Sequence, residues 1–306
     1  MRNEFYFPSK DGETRIHAIE WMPEGEIRAV LQIVHGMAEH IARYDAFASY
    51  LTENGIYVVG HSHLGHGKSV TGPEKMGYFH APDGNECVIA DIHMLRTKTQ
   101  AKVPEVPYFM LGHSMGSFLL RQYLGTYSEG LAGAIIMGTG DQPDIALSAG
   151  KLVCKVVAAF KGWEYRCGFV NNLAIGGFEK KLGKGWLSRN EENVKTYEED
   201  PLCGFVFTAP AMLDLFYGLS EVSGKKWAER VPKRPVLLIA GDRDPVGNMG
   251  KGVRQVADWL SDTKHTVELI LYHDCRHEIL NEDIREDVYR DVMLFIETVA
   301  ASGELE

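Results

Sequence analysis

Near the middle of the chain, Gly112-His113-Ser114-Met115-Gly116 sets one hydroxyl between small flanking residues. The apolar run Tyr108 to Leu111 precedes it, and a helical pattern from about Ser114 to Tyr127 follows. A nucleophilic serine requires this context. A tight strand-to-helix turn lifts Oγ above the sheet, at a helix N-terminus whose dipole favours developing negative charge. The residues two before and two after must be small or their side chains collide, which gives Gly112 and Gly116 their place. A glycine-rich turn serving only close packing would look the same, so the partners decide.

An activated serine needs a base, and the base needs an orienting carboxylate. In open parallel sheets, sites gather at the carboxyl ends of strands. The apolar run PVLLIAG (235–241) leads into Asp242-Arg243-Asp244-Pro245, and TVELILY (266–272) leads into His273-Asp274-Cys275-Arg276-His277. Either aspartate and either histidine could serve. Asp244 is favoured because it lies farther out on its loop and Pro245 fixes the exit. His277 is favoured because it lies beyond the strand, just before the last helix. An oxyanion hole needs two backbone N–H donors, each worth about 3–4 kcal/mol. Met115 supplies one. The loop Val34-His35-Gly36-Met37 supplies the other from Met37, with Gly36 letting the backbone turn.

These residues need a scaffold that brings distant loops to one edge. Apolar runs at 29–34, 56–60, 108–111, 132–137, 235–241 and 266–272 alternate with helical patterns at 41–54, 84–101, 114–127 and to about 260. That alternation predicts a doubly wound, mostly parallel α/β sheet. Two earlier strands, EFYFPS and TRIHAIEWM, precede it. The last helix carries Ile284, Val288, Val292 and Ile296 at four-residue spacing, with Asn281 as its N-cap. The alternation stops at about Asp141 for some 80 residues. The expected organisation is a core of 1–140 and 221–306 with a helical cap inserted at 141–220.

Composition sets the outer bounds. The 306 residues are 45% hydrophobic and 24% charged with a net charge of −10. This fits a folded globular chain and argues against a nucleic-acid partner, which would call for a basic face. Cys87, Cys154, Cys167, Cys203 and Cys275 are odd in number and scattered, with no CxxC, so neither a disulfide framework nor a zinc knuckle is expected. The polar start and the lack of an apolar run of about 18 residues predict a cytoplasmic protein without a membrane span.

The strings HGMAEH (35–40), GHGKS (65–69), GHSMG (112–116), LSRNEENVKTYEEDPLC (187–203), GDRDPVG (241–247) and HEILNE (277–282) run from the third strand to the last helix. Together they resemble the α/β-hydrolases of the monoacylglycerol lipase and lysophospholipase group, related to the serine aminopeptidases. The resemblance implies Ser114 as nucleophile, Asp244 as acid, His277 as base, and Met37 and Met115 N–H groups as oxyanion donors. It implies a serine esterase acting on lipid-like acyl esters through an acyl-enzyme, without cofactor or metal. One string departs from the group. Its usual D-x-R-G-H-G-x-S reads His61-Ser-His-Leu-Gly-His-Gly-Lys-Ser here, with His61 for the Asp and Leu64 for the Arg. His61, His63 and His66 also approach a hydrolytic zinc spacing, but Gly65 stands where that motif has an aspartate.

Within the cap, residues 151–190 hold eight lysines and arginines against Glu164 and Glu179, a net +6 interleaved with Leu152, Val153, Val156, Val157, Phe160, Trp163, Phe169 and Trp186. A basic, apolar cap suits an amphiphile and a transient contact with an anionic lipid surface. The rival enzymatic reading is an aminopeptidase-type serine peptidase, which requires a polar clamp for an amino terminus. The rival outside enzymes is a binding protein on a hydrolase scaffold, against which the three triad candidates speak. The sequence leaves the oligomeric state open.

Overall fold

The computed structural model describes residues 1–174 and 176–302. The side chains of residues 173, 174, 181 and 184 also fall outside it, so the cap lysines Lys181 and Lys184, Ile175 and the last four residues of the 221–306 segment lie outside the described residues.

Among the described residues the strands form one eight-stranded sheet. The N-terminal pair, β1 (Arg2–Pro8) and β2 (Arg15–Trp21), is antiparallel. β2 joins β4 (Ile56–His61) antiparallel, and β4 lies parallel to β3 (Ala29–Val34). From β3 the sheet continues in parallel through β5 (Tyr108–His113), β6 (Gly133–Met137), β7 (Pro235–Gly241) and β8 (Thr266–Tyr272).

Alternation along the strands feeds two hydrophobic layers. On β3, Val30 and Val34 pack with α2 (Gly84–Gln100), α3 (Met115–Thr126) and α10 (Lys251–Asp262). Leu31 and Ile33 pack on the other face with α1 (Asp45–Glu53) and α11 (Arg285–Ser302). Each fully buried aliphatic side chain contributes roughly 1.5–3 kcal/mol, and the central strands are buried end to end. This rigid sheet holds the βα loops at one edge.

Between β6 and β7 the described chain is helical: α4 (Asp144–Lys161), α5 (Gly168–Ala174), α6 (Gly176–Leu182), α7 (Glu191–Glu199) and α8 (Ala209–Val222). α8 packs on α4 and also on α3 beneath it. The short α9 (Lys225–Arg230) leads back to β7. Among the described residues, no helix is long and apolar enough to cross a membrane.

Two local expectations are corrected. The helix read at 41–54 divides into a 3-10 turn at 41–44, pinned by buried Ile41 and Tyr44, and α1. Asn281 does not cap the last helix. It closes a 3-10 turn at 279–281 with its side chain toward Glu278 (3.4 Å), and α11 starts only at Arg285. The apolar spacing still holds, because Val288, Val292 and Ile296 are buried.

Candidate active site

Ser114 sits between β5 and α3 at φ 54°, ψ −120°, a left-handed backbone for a residue with a side chain. Such strain costs on the order of 1–3 kcal/mol and survives only where the surroundings impose it. Here they do. A Cβ on Gly116 would lie 1.9 Å from the Val34 carbonyl oxygen, and one on Gly112 would lie 2.3 Å from that of Gly116. The two motif glycines let β3, β5 and α3 close around the turn.

The loops that follow β7 and β8 are tied to each other. Arg243 N–H donates to Cys275 O (2.9 Å), and Asp242 N–H to Tyr272 O (3.0 Å). A Cβ on Gly241 would meet Cys275 O at 2.1 Å. The structure sorts the four candidates into two pairs. Asp244 Oδ2 and His277 Nδ1 lie 2.9 Å apart, both buried. Asp242 and His273 pair at 3.0 Å on the surface, with the His273 side chain 88% exposed. Val246 N–H donates to Asp244 Oδ1 (2.9 Å), fixing the carboxylate. Burial opposes a charged His277 ring, but Asp244, helped by Glu278 and Glu39, outweighs it and raises its pKa. Ser114 and His277 face one cavity. Ser114 Oγ has no hydrogen-bond partner among the described residues. Such contacts are often long without substrate and tighten on binding.

Neither Met37 N–H nor Met115 N–H has an acceptor among the described residues, and both residues line the same cavity. The loop carrying Met37 rests on a layer of histidines. His63 N–H donates to His35 Nε2 (3.0 Å), so the His35 proton is on Nδ1, facing Gly36 O (2.8 Å). Ala38 N–H donates to His66 Nε2 (3.2 Å), leaving His66 Nδ1 to donate to Leu64 O (2.8 Å). His63 reaches His35 O (3.2 Å) and takes the remaining contact from His61 (3.3 Å). The tautomers follow from this network. Burial holds all four rings below the ordinary imidazole pKa, His66 at about 4 and His61 at about 3, so they are neutral. With their nitrogens committed this way, His61, His63 and His66 do not present three lone pairs to one metal. His61, the departure from the usual loop, is part of this support.

Sequence reasoning missed the ionic cluster beneath the loop. Glu39 accepts Gly36 N–H (2.6 Å) and Tyr44 OH (2.9 Å). Arg43 Nη1 donates to Glu39 (2.8 Å) and, through both terminal nitrogens, to Glu278 (2.7 and 2.8 Å). Asn193 of α7 joins Glu278 at 2.7 Å, and Arg43 lies 4.9 Å from the Tyr197 ring centre. Against the cost of burial, the His113 hydrogen bond and then Arg43 hold Glu39 below its ordinary pKa, and Arg43 does the same for Glu278. The available signal was the four-residue spacing of Glu39 and Arg43, together with Glu278 directly after His277.

The shared cavity is about 430 Å³ and is lined mainly by aliphatic and aromatic groups of α3, α4 and α8, with Val170, Phe178, Trp186 and Leu187. Trp186 tilts over His277 with ring centres 5.4 Å apart. Arg276 donates to Gly185 O, and Glu278 N–H donates to Leu187 O (2.7 Å), which anchors residues 185–187 to the loop after β8. The cap's basic excess is partly structural. Arg166 donates to four backbone carbonyls, of Pro73, Glu74, Met76 and Val206, and Arg189 pairs with Asp274.

One group of donors has metal-like proximity. His40, Asp200 and Cys203 bring one ligand atom each within 4.8 Å of one another. Both Asp200 oxygens are already engaged, Oδ2 by His40 (2.8 Å) and Oδ1 by Leu202 N–H (2.8 Å). With Tyr197 OH and Gly204 N–H both on Ala38 O, the pair forms a clasp between cap and loop.

Residues 25–284 match the family described as serine aminopeptidase, S33. The monoglyceride lipase of Mus musculus is 26% identical over 302 residues, covering 92% of this chain and 87% of that protein. The monoacylglycerol lipase of Mycolicibacterium smegmatis is 27% identical, covering 96% and 97%. A carboxyl esterase from Bacillus coagulans, solved in complex with glycerol, superposes with a TM-score of 0.91 at 32% identity, covering 98% of this chain and 99% of that one.

Proposed function

The chain belongs to the serine aminopeptidase S33 family of α/β-hydrolases, and from that premise we propose that it cleaves carboxylic esters of amphiphilic lipids, monoacylglycerols or lysophospholipids, through an acyl-enzyme on Ser114. The observation that carries this reading is the apolar cavity ending at Ser114 and His277. His277 takes the Ser114 proton as Oγ attacks the ester carbonyl. The N–H groups of Met37 and Met115 hold the oxyanion, and Asp244 orients the imidazole and stabilises its cation. His277 returns the proton to the departing alcohol. Water, activated by the same base, then releases the acid.

Two similar proteins are named for monoacylglycerols, and the similar esterase carries glycerol, which supports this substrate class. The peptidase alternative needs a free carboxylate to hold an amino terminus. The carboxylates lining the cavity, Glu39 and Glu278, are both engaged by Arg43. A panel of esters varied in chain length and head group, run beside aminoacyl anilides with Ser114→Ala as control, tests the reading. Preferential turnover of the anilides would overturn it. A fluorophosphonate probe that fails to label Ser114 would overturn the covalent mechanism.

The cap at 141–220 serves in this reading as the lipid-facing lid. Ile145, Leu152, Val156 and Phe160 stand exposed along α4, with Phe169 nearby. Such a stripe with flanking lysines suits contact with an anionic surface. Activity on micelles should rise with anionic lipid and fall with salt. Indifference to both would remove this role. The five cysteines are free thiols, which suits the cytoplasm.

A further inference from the structure

Resting on that reading, we infer that the side-chain amide of Gln142 binds a neutral hydroxyl of the ester substrate, so that the site selects oxygen-bearing esters over plain alkyl esters. The cavity is lined largely by hydrocarbon, and its polar side chains are nearly all spoken for. Glu39 and Glu278 are engaged by Arg43. His113 lies against Glu39 and Tyr44. Tyr197 OH donates to Ala38 O, and His277 pairs with Asp244. Apart from the nucleophile, two lining side chains have polar atoms without a hydrogen-bond partner among the described residues, the Trp186 indole N–H, which can only donate, and the Gln142 amide, which offers both donor and acceptor.

Its backbone is held in place. Gln142 precedes Pro143, which restricts it to extended conformations and opens α4. Just upstream, the buried Arg121 donates to Gly140 O at 2.8 Å. An amide on a fixed backbone facing an apolar space is a liability when a hydrocarbon covers it, because it loses water and gains nothing. A hydroxyl repairs this, since an amide offers both donor and acceptor and so does the hydroxyl. A charged head group would find no free counter-charge among these lining side chains. The matching chemistry is therefore a neutral alcohol, carried either on the alcohol half of the ester, as in a glyceryl ester, or on the acyl chain.

The test compares kcat/KM for three esters of one chain length: the 1-monoacylglycerol, the ethyl ester, and the ethyl ester of the corresponding hydroxy acid. The variants are Gln142→Met, which keeps the shape of the side chain without its polar atoms, and Gln142→Leu. The wild-type protein should favour one hydroxylated ester over the plain ester. Both variants should lose about tenfold of that preference, the equivalent of one neutral hydrogen bond, mainly through KM, with ethyl-ester turnover retained. Which hydroxylated ester loses its advantage identifies the half of the substrate that Gln142 reads. An unchanged ratio in both variants, with the ethyl ester still cleaved, overturns the role of Gln142 alone. Failure of the wild-type protein to cleave any of the esters overturns the esterase reading and this inference with it.

Discussion

Asp244 and His277 come from loops 33 residues apart in sequence, yet their Oδ2 and Nδ1 meet at 2.9 Å with both side chains buried. The carboxylate raises the His277 pKa against the opposing effect of burial. A base must be neutral to act, so activity should fall as pH drops through this raised value. The acid limb of kcat/KM should then lie above that of an ordinary imidazole. Asp244→Asn leaves burial to act with less opposition, so the surviving acid limb should move to lower pH. The rate itself should fall about 10⁴-fold, the loss seen when such an aspartate is neutralised elsewhere. A pH–rate profile of the two proteins checks both. An unmoved limb would separate Asp244 from the base.

The second Asp–His pair makes the opposite prediction. Asp242 and His273 also meet, at 3.0 Å, but on the surface, where ion pairs contribute at most about 1 kcal/mol. His273→Ala should keep kcat/KM within about twofold of the wild-type value and change the melting temperature little. A loss comparable to that of His277→Ala would reverse the assignment.

This choice shows where the sequence was legible. The strands and the serine turn were readable because each depends on local spacing: apolar runs for β3 to β8, and small residues at 112 and 116. Spacing named both aspartates and both histidines, but burial separates them, and burial arises from the packing of two loops through Gly241. The Glu39–Arg43–Glu278 cluster was harder to see because one of its acids lies 235 residues from Arg43. Asn281 misled because a good capping residue was used in a 3-10 turn instead.

Arg43 should be a stability hot spot. It separates two buried carboxylates, Glu39 and Glu278, whose side chains are 5% and 3% exposed. Removing one partner of a buried pair leaves an uncompensated charge and costs about 3–5 kcal/mol. Arg43→Met should lower denaturant stability by that order. Adding Glu278→Gln should restore part of the loss by removing one of the stranded charges. Because Glu39 also accepts Gly36 N–H, the single variant should lower kcat through the Met37 loop. Equal stability of Arg43→Met and the wild-type protein would show that the cluster is not held by this ion pairing.

Two glycines of α3 should respond in opposite ways to the same added methyl group. Gly116 has the Val34 carbonyl oxygen 1.9 Å and the His35 carbonyl oxygen 2.6 Å from its would-be Cβ, and both are backbone atoms of the strand and loop leading to Met37. Gly116→Ala must push α3 away from β3. The expected cost is about 1–3 kcal/mol or more, with kcat falling because Met37 and Ser114 separate. Gly125, a few turns along the same helix, has nothing within 4 Å of its would-be Cβ. Gly125→Ala should stabilise by up to about 1 kcal/mol through helix propensity, with kcat unchanged. Thermal melts and steady-state kinetics of the two variants side by side decide the point. A Gly116→Ala protein that melts and turns over like the wild type would show that the close approach of β3 to the serine turn is not required.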